Sequence, residues 1–102
     1  MVLDKAIGTL NIHKDGWARL PITEKIPFFQ GVSKKTAEVA ENWVAVAVNA
    51  KSIPESSPLV GEEWASGPWA LIYGVESMVC TLQSLDKGKN PPIGKVRTMS
   101  SG

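Results

Sequence analysis

The residues of this chain that could carry chemistry are few, and none has the partners that catalysis needs. Its one thiol, Cys80, would act as a nucleophile only beside a base that favours the thiolate. It lies between Val79 and Thr81 within an apolar repeat of helical spacing, far from any predicted helix start. We therefore expect Cys80 to be a packed or half-packed structural residue.

The other titratable residues are equally isolated along the chain. The single imidazole, His13, has no Cys or second His near it, whereas a metal site needs several ligands, so a surface histidine is expected. Glu62 and Glu63 are adjacent, and adjacent residues do not face each other on a helix, which makes them a poor acid–base pair. We expect one of them to cap a helix or to pair with a basic residue across a helix interface.

Patterns typical of ligand binding are also weak. The nine Gly form neither GxGxxG nor GxxxxGK[ST], so no phosphate-binding loop is encoded. A basic C-terminal stretch could bind phosphate, but no aromatic residue lies between its charges, and a solvated connector is the simpler expectation: Lys87, Lys89, Lys95, Arg97. The four Trp are spread over three predicted helices and are expected to share a core. No catalytic, cofactor-binding or metal-binding residue is assigned.

Composition limits the class of protein. The chain has 102 residues, of which 43% are hydrophobic and 21% charged, which indicates one globular domain or part of one. A net charge of +1 predicts no strong attraction to nucleic acid or to an anionic membrane. One Cys allows no intramolecular disulfide, and no run reaches the ~20 apolar residues of a spanning helix. We expect a cytoplasmic, soluble chain.

Hydrophobic spacing predicts an all-α fold with three helices, near Leu3–Ala18, Thr23–Lys51 and Pro68–Leu85. Thr23 is the expected N-cap of the second helix, although Pro27 then removes one backbone hydrogen bond. A second option is that the regular helix begins at Pro27. Gly67 is the expected N-cap of the third, which places Pro68 at its first position. The run from Val44 to Val48 is apolar almost all round, so the second helix should be buried on more than one side.

The C-terminal part has a different texture. Residues 1–86 form the predicted helical segment, and Gly88 is the expected stop of its last helix. Residues 87–102 contain three Gly and a Pro pair and are expected to form an irregular basic tail. Within that tail, Lys95–Met99 could be a strand, although no partner strand is visible.

Three stretches resemble the N-terminal part of the aldehyde dehydrogenase superfamily, in a divergent branch: WARLPITEKI (17–26), ENWVAVAVNAKSI (41–53) and GEEWASGPW (61–69). In that family, a W-x-x-L-P-x-x-E-R-I stretch joins a first helix to a long second one. Here Lys25 replaces the usual Arg. The order of these stretches extends the resemblance over nearly the whole chain, and the motifs that carry it are packing motifs.

The resemblance implies an oxidoreductase that uses NAD or NADP and a catalytic Cys thiolate, assisted by a Glu base and an Asn oxyanion donor. In the family those residues, and the nucleotide-binding sheet, lie downstream of the matched part, and the context of Cys80 does not match that of the nucleophile. The chain is thus expected to be an N-terminal fragment that supplies helices to an α/β parent, with no cofactor or activity of its own.

An alternative of another class remains open. The chain could be a self-contained helical module that binds a protein partner through an apolar face. Under either reading, two long helices and a weaker first one cover only part of their apolar surface. We therefore expect contact with the remainder of a parent polypeptide, or self-association as a homo-oligomer.

Overall fold

The computed structural model of this chain describes residues 2–91 and 93–100, and that range contains helices and no strand. The elements are α1 (Val2–Arg19), α2 (Ile22–Ala50), α3 (Leu59–Trp64), a π-helical turn (Ala65–Trp69) and α4 (Ala70–Asp86). The predicted all-α fold with three long helices is confirmed. α3 is an additional short helix that leads into the turn before α4.

The start of α2 differs from the prediction. Pro21, not Thr23, is its N-cap, with φ −55° and ψ 148°, and its carbonyl accepts hydrogen bonds from the N–H groups of Glu24 and Lys25 at 3.0 and 3.1 Å. Proline fixes φ near the value that this extended position allows, so the cap forms without a side-chain acceptor. Pro27 consequently lies inside the helix, where it cannot donate to the carbonyl of Thr23.

The break before α4 lies at the predicted residue. Gly67 has non-helical angles, φ −97° and ψ −109°, within the π-helical turn, and its carbonyl accepts a hydrogen bond from the N–H of Ala70. Pro68 follows and is almost completely buried. Trp69 and Ala70 already have right-handed helical angles, so the chain resumes its helical course directly after the kink at Gly67, in agreement with the predicted N-cap.

The core is a single layer between α2 and α4. The buried side chains of α2 recur every four residues along one face, and they pack opposite Val79 of α4: Thr36, Ala40, Val44 and Val48. The Thr36 hydroxyl is satisfied inside this layer because it donates to the carbonyl of Val32 at 2.8 Å. Small side chains on α2 let the two helices approach closely, but they bury little apolar area.

α1 does not join that core. None of its described residues is buried, and it contacts α2 through a corner of aromatic and basic side chains near its end. The Trp17 ring meets Phe28 edge-on at 5.5 Å and Phe29 at 6.2 Å between ring centroids. The Lys25 ammonium lies 5.8 Å from the Trp17 ring centroid and donates to the carbonyl of Ala18 at 3.1 Å. This corner holds α1 as an arm.

The overall shape reflects the arm. The Cα radius of gyration is 18.8 Å, and the principal extents are 48 × 47 × 29 Å. A compact domain of this length would have a radius of gyration of about 13 Å. The chain is therefore open, with a large share of its helical surface in contact with solvent.

Both long inner helices end in the same motif. At the end of α4, Gly88 has φ +67°, its N–H donates to Leu85, and the next N–H, of Lys89, donates to Ser84. This Schellman arrangement confirms Gly88 as the predicted stop. At the end of α2, Ser52 has φ +53°, and it and Ile53 donate to Asn49 and Val48 in the same pattern.

The tail after α4 is irregular in the described residues. The predicted strand at Lys95–Met99 is not formed, and Val96 and Met99 are 77% and 69% exposed. A strand needs a second strand to satisfy its backbone groups, and none is present among residues 2–91 and 93–100. Pro92, Ser101 and Gly102, which belong to the same predicted tail, lie outside the described residues.

Candidate functional site

Cys80 is exposed, so the prediction of a packed thiol is wrong. It lies on the outer side of α4, in a shallow hollow lined also by Tyr73, Glu76, Ser77 and Thr81. The apolar repeat that suggested burial is covered on only one side by α2, and Cys80 falls beyond that cover. No His or Lys lines the hollow, so none of its lining residues is a basic partner for a thiolate.

His13 lies on the surface, as predicted. It is on the arm α1, where it borders a hollow with Leu10, Lys14 and Trp17. The described part of the chain contains no group of three His, Cys, Asp or Glu that could hold a metal ion. The basic residues after α4 are likewise exposed, on irregular backbone: Lys87, Lys89, Lys95 and Arg97.

The adjacent carboxylates Glu62 and Glu63 have different surroundings. Glu63 accepts hydrogen bonds from the Lys51 ammonium at 2.7 and 2.9 Å, and its side chain is 13% exposed. The pair joins the end of α2 to α3, which confirms the expected ion pair across a helix interface. Glu62 is exposed, and its backbone carbonyl accepts a hydrogen bond from the Ser66 hydroxyl at 2.7 Å.

The expectation that the four Trp share a core is wrong. All four are at least 40% exposed, and only Trp64 and Trp69, among the described residues, border the same hollow. Trp17 forms the corner with Phe28, and Trp69 stacks on Tyr73 with 5.2 Å between the ring centroids. Trp43 lies against Gly67, and a Cβ atom added at Gly67 would be 3.4 Å from the Trp43 indole nitrogen. One layer of two helices has no interior large enough to enclose four indoles.

The most extensive feature of the surface is an uncovered apolar face on α2, which we call the outer face. Its large side chains are 40–60% exposed: Phe28, Val32, Val39, Trp43 and Val46. At 100° per residue, these positions occupy an arc of about 60°, directly beside the arc that packs on α4. Burial on more than one side, expected from the run Val44–Val48, is thus not achieved by the described residues.

α4 repeats this arrangement. Its half-buried and buried apolar side chains form one row: Ile72, Val75, Val79 and Leu82. Beside that row, Leu71, Met78 and Leu85 follow one another at seven-residue intervals and are 40%, 46% and 43% exposed. Sequence spacing identified all seven as one stripe, but it could not show that α2 covers only part of it. The signal for an uncovered face was the width of the stripes, which exceeds what one neighbouring helix can cover.

Comparison with known proteins gives no match: no family model, no curated protein and no solved structure matches this chain. A search of the described helices for membrane spans is also negative, since none combines the necessary length with sufficient apolarity.

Proposed function

We propose that this chain is the N-terminal helical segment of an aldehyde dehydrogenase-like NAD(P)-dependent oxidoreductase of the cytoplasm. In this role its helices pack on the nucleotide-binding domain of a longer polypeptide, which binds the NAD or NADP and supplies the catalytic residues. The sequence support is the resemblance of residues 17–26, 41–53 and 61–69 to that superfamily. The chain itself contributes no catalytic residue.

The observation that carries the docking role is the outer face of α2. Its large apolar side chains are contiguous with the buried row. Phe28 contacts Trp17 and Trp43 lies against Gly67, yet all five side chains of the face remain 40–60% exposed. Burying a side chain of this size stabilises by about 1.5–3 kcal/mol. An apolar surface of this extent, next to a similar row on α4, favours a further protein surface as its cover.

The rigid corner at Trp17 supports the same role. It fixes α1 away from the α2–α4 layer through ring contacts with Phe28 and Phe29 and through Lys25. An arm that buries none of its residues gains little from its own chain, since isolated helices of this length are marginal in water. Contact with another part of a larger fold would supply the missing stabilisation.

The second candidate is a self-contained interaction module, and the same outer face supports it. In that case the cover is a protein partner or a second copy of this chain, which forms a homo-oligomer. The two candidates differ in what lies next to the chain in its gene product, so the first measurement is the reading frame beyond codon 102.

A continuing frame that encodes a nucleotide-binding sheet and a Cys in a loop leads to the decisive experiment. The longer polypeptide is expressed and assayed for NADH or NADPH formation with aldehydes, and hydrogen exchange of α2 is compared with that of the 102-residue chain. We expect protection of the amides around Val39 and Val46 to increase in the longer protein. V39E should reduce that protection and the yield of folded enzyme, whereas K34E, on the polar side of α2, should not.

A frame that closes, together with a stable and inactive monomer, would refute the oxidoreductase proposal in favour of the module. So would a longer polypeptide in which the exchange rates of α2 are those of the isolated chain.

A further inference from the structure

A cavity between α2 and α3 differs from the other hollows of the surface. It has a volume of about 360 Å³, within the range of small-ligand pockets, which begins at roughly 300 Å³. It is bounded by the second half of α2, the loop after it, and α3, whereas the hollows beside His13, Gly31 and Cys80 are each lined by one helix. Two elements and a loop therefore border it, and it is open to solvent on its remaining side.

The floor of the cavity is apolar and preformed. Val44 and Val48 line it and are 4% and 9% exposed, because they also belong to the α2–α4 core. Ile53 and Val60 line it as well and are half-buried. Trp64 forms part of the wall and is 40% exposed, and it also borders the neighbouring hollow beside Trp69.

The charge around the cavity is of one sign. Glu41 and Glu55 line it together with the amide of Asn49, and no Lys, Arg or His is among the lining residues. The nearby ammonium of Lys51 is held by both carboxylate oxygens of Glu63, so it does not neutralise this rim. No ion pair is formed by Glu41 or Glu55 within residues 2–91 and 93–100.

We propose that this cavity binds a small organic cation with an apolar body, such as an aryl or alkyl ammonium compound. The apolar body would lie on Val44, Val48 and Val60, and the cationic group would lie at the rim, in the field of Glu41 and Glu55, with the Trp64 ring as part of the wall. Tryptophan is the side chain whose ring attracts a cation most strongly. Low-dielectric apolar walls strengthen the field of carboxylates at the rim. The proposal is independent of the docking role, because the cavity is formed within this chain.

The test uses benzyltrimethylammonium as the probe and phenylacetate as its anionic counterpart. Each is titrated into the isotope-labelled 102-residue chain, with NMR detection of the Trp64 indole N–H and the methyl groups of Val44, Val48 and Val60. We expect the cation to shift these signals with saturation, and phenylacetate to bind less tightly. Equilibrium dialysis of the probe measures the same affinity if self-association broadens the spectra.

Variants separate the two contributions. W64L should raise the dissociation constant about two- to fivefold, the loss expected for one exposed cation–π contact. E41Q combined with E55Q should raise it by at least about threefold, since two exposed charge interactions are removed. E76Q, a carboxylate on α4 outside the cavity, is the matched control and should leave it unchanged. These residues are exposed, so circular dichroism should show the same helix content in every variant.

Equal affinity for phenylacetate and the cation, binding unaffected by E41Q/E55Q, or shifts confined to residues outside the cavity would each overturn the proposal. None of these results would bear on the reading frame or on the protection of the outer face of α2.

Discussion

Lys51 and Glu63 connect the last turn of α2 to α3, because the Lys51 ammonium donates to both carboxylate oxygens, at 2.7 and 2.9 Å. The lysine side chain is 59% exposed and the glutamate 13%. The two residues are twelve positions apart, so the pair closes the loop between the helices. It thereby sets the position of Trp64, which follows Glu63 directly.

Breaking this pair should destabilise the chain modestly. We expect E63Q to lower the free energy of unfolding by about 0.5–1 kcal/mol, the upper part of the range for a partly exposed ion pair. The control is E38Q, which breaks the exposed i,i+3 pair of Lys35 and Glu38 at 2.7 Å and should cost about 0.2–0.5 kcal/mol. Urea unfolding followed by circular dichroism measures both, and a larger loss for E38Q would contradict the assigned role of the loop-closing pair.

Substitutions at the two helix ends with positive φ are expected to have opposite effects on stability. Ser52, with φ +53°, occupies the position that Gly88, with φ +67°, occupies at the end of α4. A left-handed conformation costs a residue with a Cβ about 1–2 kcal/mol. S52G should therefore stabilise the chain, and G88A should destabilise it, each by roughly 1 kcal/mol. Changes of the same sign in both midpoints of denaturation would show that the cap geometry is not what decides them.

The exposure of Cys80 gives a chemical prediction. Because its thiol lies on the outer side of α4, a disulfide reagent such as Ellman's should modify it fully in the folded chain, without denaturant. C80A should change the free energy of unfolding by less than about 0.5 kcal/mol, as for other surface substitutions. If the proposed longer enzyme exists, C80A should also leave its turnover intact. If the thiol reacts only when the chain unfolds, Cys80 is packed, as expected from the sequence, and the exposed position is wrong.

The helix boundaries were predictable from sequence because they depend on neighbouring residues, whereas the exposure of the candidate site residues was not. Gly88 and Gly67 marked helix boundaries through backbone requirements that depend on neighbouring residues only. The pairing of one of two adjacent glutamates also followed, since adjacent positions on a helix face different ways. Exposure is a non-local property. Cys80 was expected to pack because it lies within an apolar repeat, and the four Trp because they are spread over three predicted helices, but α2 and α4 each cover only one side of the other. Thr23 was displaced as a cap because Pro21 supplies the required backbone angles by itself.

Replacing Val75 with proline should break α4. The substitution removes a helix-interior N–H and places a ring against the preceding turn, at a cost of about 3 kcal/mol or more. Val75 is half-buried in the row that packs on α2, so the layer should open with it. Loss of helical circular dichroism in V75P, compared with V75A, measures the effect. An unchanged spectrum would place Val75 outside the helix.

The strongest prediction concerns residues 1–102 by themselves. Folded domains have a net stability of about 5–15 kcal/mol, and several uncovered side chains on α2 and α4 forfeit about 1.5–3 kcal/mol each. We therefore expect the isolated chain to melt with low cooperativity, to scatter light as species heavier than 11.0 kDa, and to form no NADH from any aldehyde. V39E combined with V46E should reduce association, because it places charges on the outer face, whereas K34E should not. A sharp melt from a monomer would favour the self-contained module. Turnover of cofactor would overturn the assignment of catalysis to residues outside this chain.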